Sequence, residues 1–384
     1  MNIMNKQITW LVVGGGLLGV SQQIALVVLP LLSDIMSVPY ETLVNWQAAG
    51  SFLFLFSSVY WAKTMAKKGV SYVVKLTTAG FLLSNLILLF LWLEYDWLSV
   101  EVMLGIFIVS RIVHGLFSSG IVPQLQISAL ILYPQNTIGA LAKVSLGGTL
   151  ARCLTPLACI GLLMVSPTWV FALPLLLGVY VLLITPSLSK GKSKEKVSGS
   201  PHQHWGLLVV AFICAFSLCF GQFSLVQVLT RFIPDNSAQV SQWVAINLAI
   251  TACLSTINQI YFIKKQKVDS ERLLVLSLAV AFVTAGASSM ASHIVVMCIT
   301  VSLIFVALNS ATLAYTNVIV AKAGKQYTNY ITTTHTLGYA LGAVFVNFSL
   351  TLPYVLVCAA LFIAFSFIVR RFIRYVYPKQ AETA

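Results

Sequence analysis

Charged residues are scarce in this sequence. Asp, Glu, Lys and Arg make up only 9% of its 384 residues, while 59% are hydrophobic. A soluble domain has about one charged residue in four, and no water-soluble fold could hide this much apolar surface. The shortage of charge therefore excludes a soluble protein and predicts one that resides in a lipid bilayer.

Short alternating apolar runs, the pattern of a membrane β-barrel, are also missing. The apolar segments continue instead for about 20 residues, the length that a helix needs to cross the hydrocarbon core. Lipid offers backbone amides no hydrogen-bond partner, so each segment should be a helix. We predict an all-α membrane protein of about twelve transmembrane helices in two six-helix bundles. The predicted helices are 8–32, 42–62, 71–92, 100–123, 140–165, 168–186, 205–229, 240–263, 272–290, 293–320, 328–350 and 353–374.

Catalytic and metal-binding patterns are absent as well. The seven cysteines all fall inside apolar segments, and none belongs to a CxxC pair. This gives no support to a disulfide framework or a zinc site. We also find no paired histidine and acid and no phosphate-binding glycine loop. The sequence predicts no metal, no cofactor and no enzyme, and a membrane-embedded enzyme is the least favoured alternative.

A Lys-, Ser- and Gly-rich segment interrupts the apolar sequence near its middle. It covers residues 189–204 and is typical of a flexible linker. We predict an N-terminal six-helix bundle at 1–188, a basic cytoplasmic linker at 189–204, and a C-terminal six-helix bundle at 205–384.

The basic residues are sorted by side of the membrane. If the N-terminus is cytoplasmic, 20 of the 23 lysines and arginines lie on the cytoplasmic side, and only Arg231 lies on the opposite side. This asymmetry predicts cytoplasmic termini in a bacterial inner membrane. Basic residues dispersed in this way form no single folded patch, so the net charge of +13 does not indicate a nucleic-acid partner.

Acidic residues are absent from the middle of the predicted spans. Arg111 and Arg152 lie about eleven and twelve residues into their helices, which at 1.5 Å per residue puts both near mid-depth. A charge there costs from about 3 to more than 10 kcal/mol, and no carboxylate in the spans is available to offset it. Arginine binds carboxylates and phosphates in a bidentate manner. We therefore predict a small-molecule substrate that carries negative charge.

Three motifs resemble those of the major facilitator superfamily. Residues 111–123 resemble the fourth-helix motif, with His114 in place of a glutamine. Residues 145–161 are similar to the antiporter motif, with a Thr-Pro pair in place of Gly-Pro. Residues 62–69 lie where the family has its loop motif and resemble it in part, with Ala66 in place of its aspartate. The resemblance implies a secondary transporter, and the fourth- and fifth-helix patterns are most similar to drug:proton antiporters and bacterial siderophore exporters.

The resemblance also implies a role for Arg111, because the family arginine can brace the first helix. Bracing and substrate contact therefore both remain open for this residue. In the next helix, Ser145, Thr149, Arg152 and Thr155 recur at helical spacing and share a face.

Arg111, His114 and Ser118 likewise share a face of the fourth helix, so two polar stripes are expected to meet a shared interior. Polar residues of the other helices complete the candidate cavity, although each uncharged one could instead form an interhelical hydrogen bond. The predicted substrate-binding residues are Arg152, Arg111, Gln22, Gln23, Thr149, Gln222, Gln227, Asn247, Asn309 and Tyr315.

Proton coupling needs a group that titrates near neutral pH. His114 and His335 are the internal candidates, and Asp34 and Glu101 are alternatives near the outer ends of helices. Together these features predict proton-coupled efflux of a small polar or anionic metabolite, or of a drug, by a monomer. An uptake symporter for a small organic solute is the alternative, and the sequence does not exclude a channel.

Small and aromatic residues have separate expected roles. Gly14, Gly15, Gly16 and Gly19, with Gly338 and Gly342, should allow close helix packing. Six tryptophans near predicted helix ends should form an interfacial belt, namely Trp10, Trp61, Trp92, Trp97, Trp169 and Trp205.

Overall fold

The computed structural model is helical in every regular element of the residues it describes. These residues are 3–135, 137–188, 205–234, 236–264, 269–323, 328–348 and 353–376. The predicted linker at 189–204 lies outside them, and the domain boundaries stay a prediction.

The helices follow the predicted order. The first part of the chain forms α1 Ile3–Ile35, α2 Tyr40–Lys68, α3 Val70–Glu94, α4 Val100–Ser118, α5 Ile121–Leu132, α6 Thr137–Val165 and α7 Pro167–Ile184. The second part forms α8 Trp205–Phe232, α9 Ser237–Lys264, α10 Ser270–Ser289, α11 Ile294–Ala323, α12 Thr328–Phe345 and α13 Pro353–Val376. Short 3₁₀ turns, Tyr95–Trp97 and Val346–Phe348, follow α3 and α12.

The fourth predicted helix is longer than expected and is broken. It continues to Leu132 as α5, after an interruption at Ser119 and Gly120. A Cβ on Gly120 would lie 2.5 Å from the Thr77 side chain, so the break passes close to α3. Pro123 falls in the first turn of α5, where a missing N–H costs no helical hydrogen bond. The proline therefore begins a helix here and does not end one.

Most of these helices suit a bilayer. Within the described residues, ten helical segments are long and apolar enough to cross a membrane, with α4 and α5 counted as one. The two others, α2 and α12, are more polar because they carry residues such as Gln47 and His335. The chain has the architecture of an all-α membrane protein.

The described helices pack as two compact units. The first contains α1–α7 and the part of α9 up to Ala249, and the second contains α8, the rest of α9 and α10–α13. Helix pairing repeats between the units: α1 packs on α6 and α3 on α4 in the first, while α8 packs on α12 and α10 on α11 in the second. Repeated helix units of this kind are common in secondary transporters.

Glycines allow close helix packing, as predicted. In the first unit α1 and α6 run parallel, with Gly16 beside the Gly147 carbonyl and Gly19 beside Ala151. A Cβ on Gly147 would collide with the Val12 carbonyl oxygen. In the second unit, a Cβ on Gly342 would lie 2.7 Å from the Phe216 carbonyl oxygen, where α12 meets α8. The backbones of both pairs approach at contacts that only glycine permits.

The predicted aromatic belt is wrong for Trp10 and Trp61. The two side chains are only 0% and 5% exposed. Trp10 Nε1 donates to Thr185 Oγ1 at 3.2 Å, and Trp61 Nε1 donates to the Leu116 carbonyl at 2.6 Å. A tryptophan near a helix end can turn into its own bundle when its N–H finds an acceptor there.

Candidate functional site

Helix α6 presents two different exposed faces. Leu146, Leu150 and Leu154 are 49%, 39% and 56% exposed and recur four residues apart, as expected of a lipid-facing surface. Ser145 and Arg152 are also exposed. At 100° per residue they lie roughly 140° around the helix from the leucines. The exposed surface of Arg152 is therefore separate from the lipid-facing surface.

Helix α1 has an exposed residue at about the level of Arg152. In the parallel register of the two helices, Gly19 lies against Ala151, which places Gln22 near the level of Arg152. Gln22 is the one exposed residue in the described stretch 10–32, whereas Gln23 is 7% exposed. The one exposed residue of this stretch of α1 therefore lies near the level of Arg152.

The Arg152 guanidinium has no counter-charge in the part of the chain that the structure describes. The ion pair found there joins Arg272 and Asp269 at 3.1 Å, at the start of α10. Arg152 lies about halfway along the 29 residues of α6. Thr149, on the same face, donates to the Ser145 carbonyl at 3.3 Å. The structure thus leaves a midspan cation available to a ligand.

Arg111 has a different environment from Arg152. It is 2% exposed, its Nη1 donates to Gln47 Oε1 at 3.0 Å, and its Nη2 donates to Ser110 Oγ at 2.8 Å. The guanidinium also lies 5.6 Å from the Phe107 ring centroid. The partner helix is α2, not the first helix that the family resemblance implied. Neutral oxygens and a ring face therefore hold this charge inside the bundle.

His114 continues the same polar network. Its Nδ1 lies 3.4 Å from Ser84 Oγ and 3.3 Å from Ser118 Oγ. Ser110 Oγ donates to the Ser84 carbonyl at 2.8 Å, which joins the Arg111 and His114 contacts. These partners lie on α2, α3 and α4, and none of the hydrogen bonds described for Arg111 and His114 reaches α6. The structure thus assigns the two predicted stripes to different neighbours.

In the second unit, Tyr315 and His335 form a pair. The Tyr315 hydroxyl is hydrogen-bonded to His335 Nε2, and it also donates to Thr312 Oγ1 at 3.2 Å. The two rings meet edge to face, 5.6 Å apart. Tyr315 is completely buried and His335 is half-buried. Two residues predicted for separate roles therefore share one contact.

Asn309 joins helices through a reciprocal pair of hydrogen bonds. Its Nδ2 donates to Ser255 Oγ at 3.0 Å, and Asn258 Nδ2 donates to Ser310 Oγ at 2.5 Å. These two bonds connect α9 and α11 on neighbouring turns. The observed role of Asn309 is the interhelical alternative that the sequence left open.

The other predicted polar residues occupy varied positions. Gln222 and Gln227 are half-buried on α8, and Gln227 Nε2 donates to the Val346 carbonyl at 3.5 Å. Asn247 is fully buried in the stretch of α9 that belongs to the first unit. Asn247 therefore belongs to a different compact unit from Tyr315 and His335.

The two acidic candidates lie at helix ends. Asp34 is exposed near the end of α1, and its Oδ2 accepts a hydrogen bond from Ser237 Oγ at 2.7 Å, within the first unit. Glu101 is exposed in the first turn of α4. Both carboxylates are accessible, and neither is deep in a span.

Several residues in these contacts escaped sequence reasoning. Gln47, Ser84, Ser255 and Thr312 are polar residues inside apolar helices, and that contrast is the signal that could have marked them. Helical spacing relates residues of one helix only. The partner on another helix cannot be read from that spacing.

Comparison with known protein families identifies one that covers most of the chain. A family model described as Major Facilitator Superfamily matches residues 11–347. Comparison with curated proteins finds no match.

Solved transporter structures share the fold over almost the whole chain. A D-xylose–proton symporter matches at 10% identity, 96% coverage of this chain and 97% of that chain, and a TM-score of 0.73. The nucleoside transporter NupG matches at 10% identity, with coverages of 98% and 100% and a TM-score of 0.67. A bacterial homologue of the iron transporter ferroportin, inward-facing, matches at 13% identity, with coverages of 96% and 99% and a TM-score of 0.66. Because the family model covers most of its length, this chain belongs to the Major Facilitator Superfamily and is a multi-pass membrane transporter.

Proposed function

We propose that this transporter exports a small anionic molecule, such as a carboxylate siderophore or an anionic drug, across the bacterial inner membrane in exchange for protons. The observation that carries the proposal is the position of Arg152. It lies at midspan on an exposed polar face, with Gln22 at the same level and no described counter-charge.

The energetics favour an anion at this point. A midspan charge is costly unless water or an opposite charge compensates it. Arg111 meets this cost with hydrogen bonds inside the protein. Arg152 has no such compensation among the described residues, so a substrate carboxylate is its best-matched partner. We therefore assign substrate binding to Arg152, with Gln22 and Thr149 beside it, and helix bracing to Arg111.

The similar solved structures do not identify the substrate of this chain. They include a sugar symporter, a nucleoside transporter and, at 13% identity, the human organic anion transporter MFSD10. Likeness at these identities reflects a shared fold, and sites within one fold support many functions. Support for an anionic substrate comes from Arg152 alone.

Inverted membrane vesicles test both substrate class and direction. Respiration makes their interior acidic, so an exporter that exchanges protons should accumulate citrate or a related carboxylate inside them. Nigericin, which collapses the pH difference, should stop this accumulation. Transport restricted to neutral or cationic compounds would contradict the proposal. Proton-driven accumulation in right-side-out vesicles only would instead indicate the uptake symporter.

The proposed topology places both termini and the 189–204 linker in the cytoplasm. The 20-to-1 distribution of basic residues between the two sides motivates this orientation. A cytoplasm-specific reporter fused after Glu195 or after Ala384 should be active, and a periplasm-specific reporter should be silent. Activity of the periplasmic reporter at either position would contradict this orientation in the membrane.

A further inference from the structure

Tyr315 links two helices of the second unit through its hydroxyl group. The hydroxyl lies on α11, bonds to His335 Nε2 on α12, and also reaches Thr312 Oγ1 at 3.2 Å. Thr312 Oγ1 in turn donates to the Leu308 carbonyl at 2.9 Å. Thr312 has therefore used its only proton, and its lone pairs remain able to accept a hydrogen bond.

This order of groups can accommodate either protonation state of the imidazole. When His335 is neutral with its proton on Nδ1, Nε2 is an acceptor and the Tyr315 hydroxyl donates to it. When a proton binds Nε2, this nitrogen becomes a donor, and the Tyr315 oxygen must accept. The Tyr315 proton then turns to Thr312 Oγ1. His335 Nε2 and the hydroxyl groups of Tyr315 and Thr312 each keep a partner in both states, so a change of charge at Nε2 leaves none of these three groups unsatisfied.

We propose that His335, Tyr315 and Thr312 form the proton-binding relay of this transporter, with His335 as the group that gains and loses the proton. The inference deepens the proposed function, because it names the residue that would couple proton movement to anion export. Tyr315 and Thr312 act as positioning residues, since they reverse their hydrogen bonds to match the charge on the ring.

The surroundings of His335 favour this role. Helix α12 packs mainly on α8, where Gly338 lies against Ala215, and it also touches α11. Titratable groups near Tyr315 include Cys214 on α8 and Tyr339 on α12. Aspartate, glutamate, lysine and arginine are absent from the stretches 205–230, 294–320 and 328–348, all of which are described. Of the side chains in these stretches, His335 is the one whose ordinary titration falls between pH 5 and 8.

The other candidates fit the role less well. A proton on His114 would place a second positive charge one turn from the buried Arg111, with no carboxylate among its described partners. Asp34 and Glu101 are exposed at helix ends, where a proton exchanges with water on one side of the membrane. His335 is half-buried on α12, and the hydroxyl groups beside it can reverse their donor and acceptor roles.

Nuclear magnetic resonance on the full-length protein in detergent tests the relay without any transport assay. The chain has five histidines, and His335→Gln identifies the ¹⁵N-labelled imidazole signal that belongs to His335. We expect this signal to titrate between pH 5 and 8. In Tyr315→Phe the protonated ring loses its charge-assisted acceptor, so we expect proton affinity to fall about tenfold. Thr312→Val should lower it by less.

Tyr354→Phe is the matched control. Tyr354 is also a buried tyrosine of the second unit, and its hydroxyl donates to the Gly221 carbonyl at 3.0 Å, away from His335. This variant should leave the His335 titration unchanged. A His335 signal that does not titrate between pH 5 and 8, or that titrates identically in Tyr315→Phe, overturns the relay.

The proposed substrate class and the proposed relay can be refuted independently. If His335 titrates as expected but vesicles carry no carboxylate, the relay stands and the anion assignment falls. If carboxylates are exported but His335 does not titrate, the relay is wrong and the proposed function stands.

Discussion

Replacing Arg152 with glutamine should abolish most anion transport while leaving a folded protein. The change removes a charge-assisted, bidentate partner worth about 3 kcal/mol, so substrate affinity should fall roughly a hundredfold. Arg152→Lys keeps the charge but loses the planar fork, and a loss of about tenfold is expected. Concentration dependence of carboxylate uptake in vesicles measures both effects.

The melting temperature of each variant distinguishes an arginine that binds substrate from one that stabilises the helix bundle. The Arg152 guanidinium makes no hydrogen bond within the described residues, so its removal should not lower the melting temperature. Arg111→Gln should lower it, because Arg111 bonds to Gln47 and Ser110 inside the bundle. Arg231→Gln, at the exposed end of α8, serves as a control for removing one positive charge. Normal carboxylate transport by Arg152→Gln would make Arg152 a structural residue and would refute the assigned substrate class.

Replacing Gly147 with valine should destabilise the first unit severely. A Cβ at this position collides with the Val12 carbonyl oxygen and lies 2.8 Å from the Gly16 nitrogen, so backbone must move to admit it. Overpacking usually costs about 1–3 kcal/mol where side chains can adjust, and a clash with backbone should reach or exceed that upper value. Thermal unfolding of the purified protein, together with its yield in the membrane, measures the effect.

Gly161→Val is the matched control on the same helix. Among the described residues, no heavy atom beyond the adjacent residues and the local backbone of α6 lies within 4 Å of a Cβ built on Gly161, so a side chain can be added there without a collision. Both changes replace glycine with valine inside α6 and share the same intrinsic helix preference. Equal melting temperatures for the two variants would show that the close contact of α1 and α6 is not needed for stability.

The sequence predicted the helices better than the contacts between them. Apolar length and charge asymmetry depend on composition along the chain, and these signals located most of the helices. The fourth helix was predicted to stop at residue 123, whereas Pro123 lies in the first turn of α5, because a proline is tolerated where a helix begins. Trp10 likewise differs from its prediction, since it lies near a helix end but bonds to Thr185 inside the bundle.

For the candidate site too, positions along the chain were predictable and contacts between helices were not. The depth of Arg111 and Arg152 followed from their positions in the sequence, whereas their environments did not. Gln47, on another helix, accepts a hydrogen bond from Arg111. This contact depends on how the helices pack. The exposed face of Arg152 and the opening at Gln22 likewise depend on how α1 and α6 pack.

We propose that the site at Arg152 recognises negative charge. The most direct measurement compares the binding of citrate and of its trimethyl ester to the same purified protein by calorimetry. The two molecules share a carbon skeleton but differ in charge. We expect citrate to bind and the ester not to bind, with citrate binding weakened in Arg152→Gln. Equal binding of the acid and the ester, or citrate binding that Arg152→Gln leaves unchanged, would contradict the account.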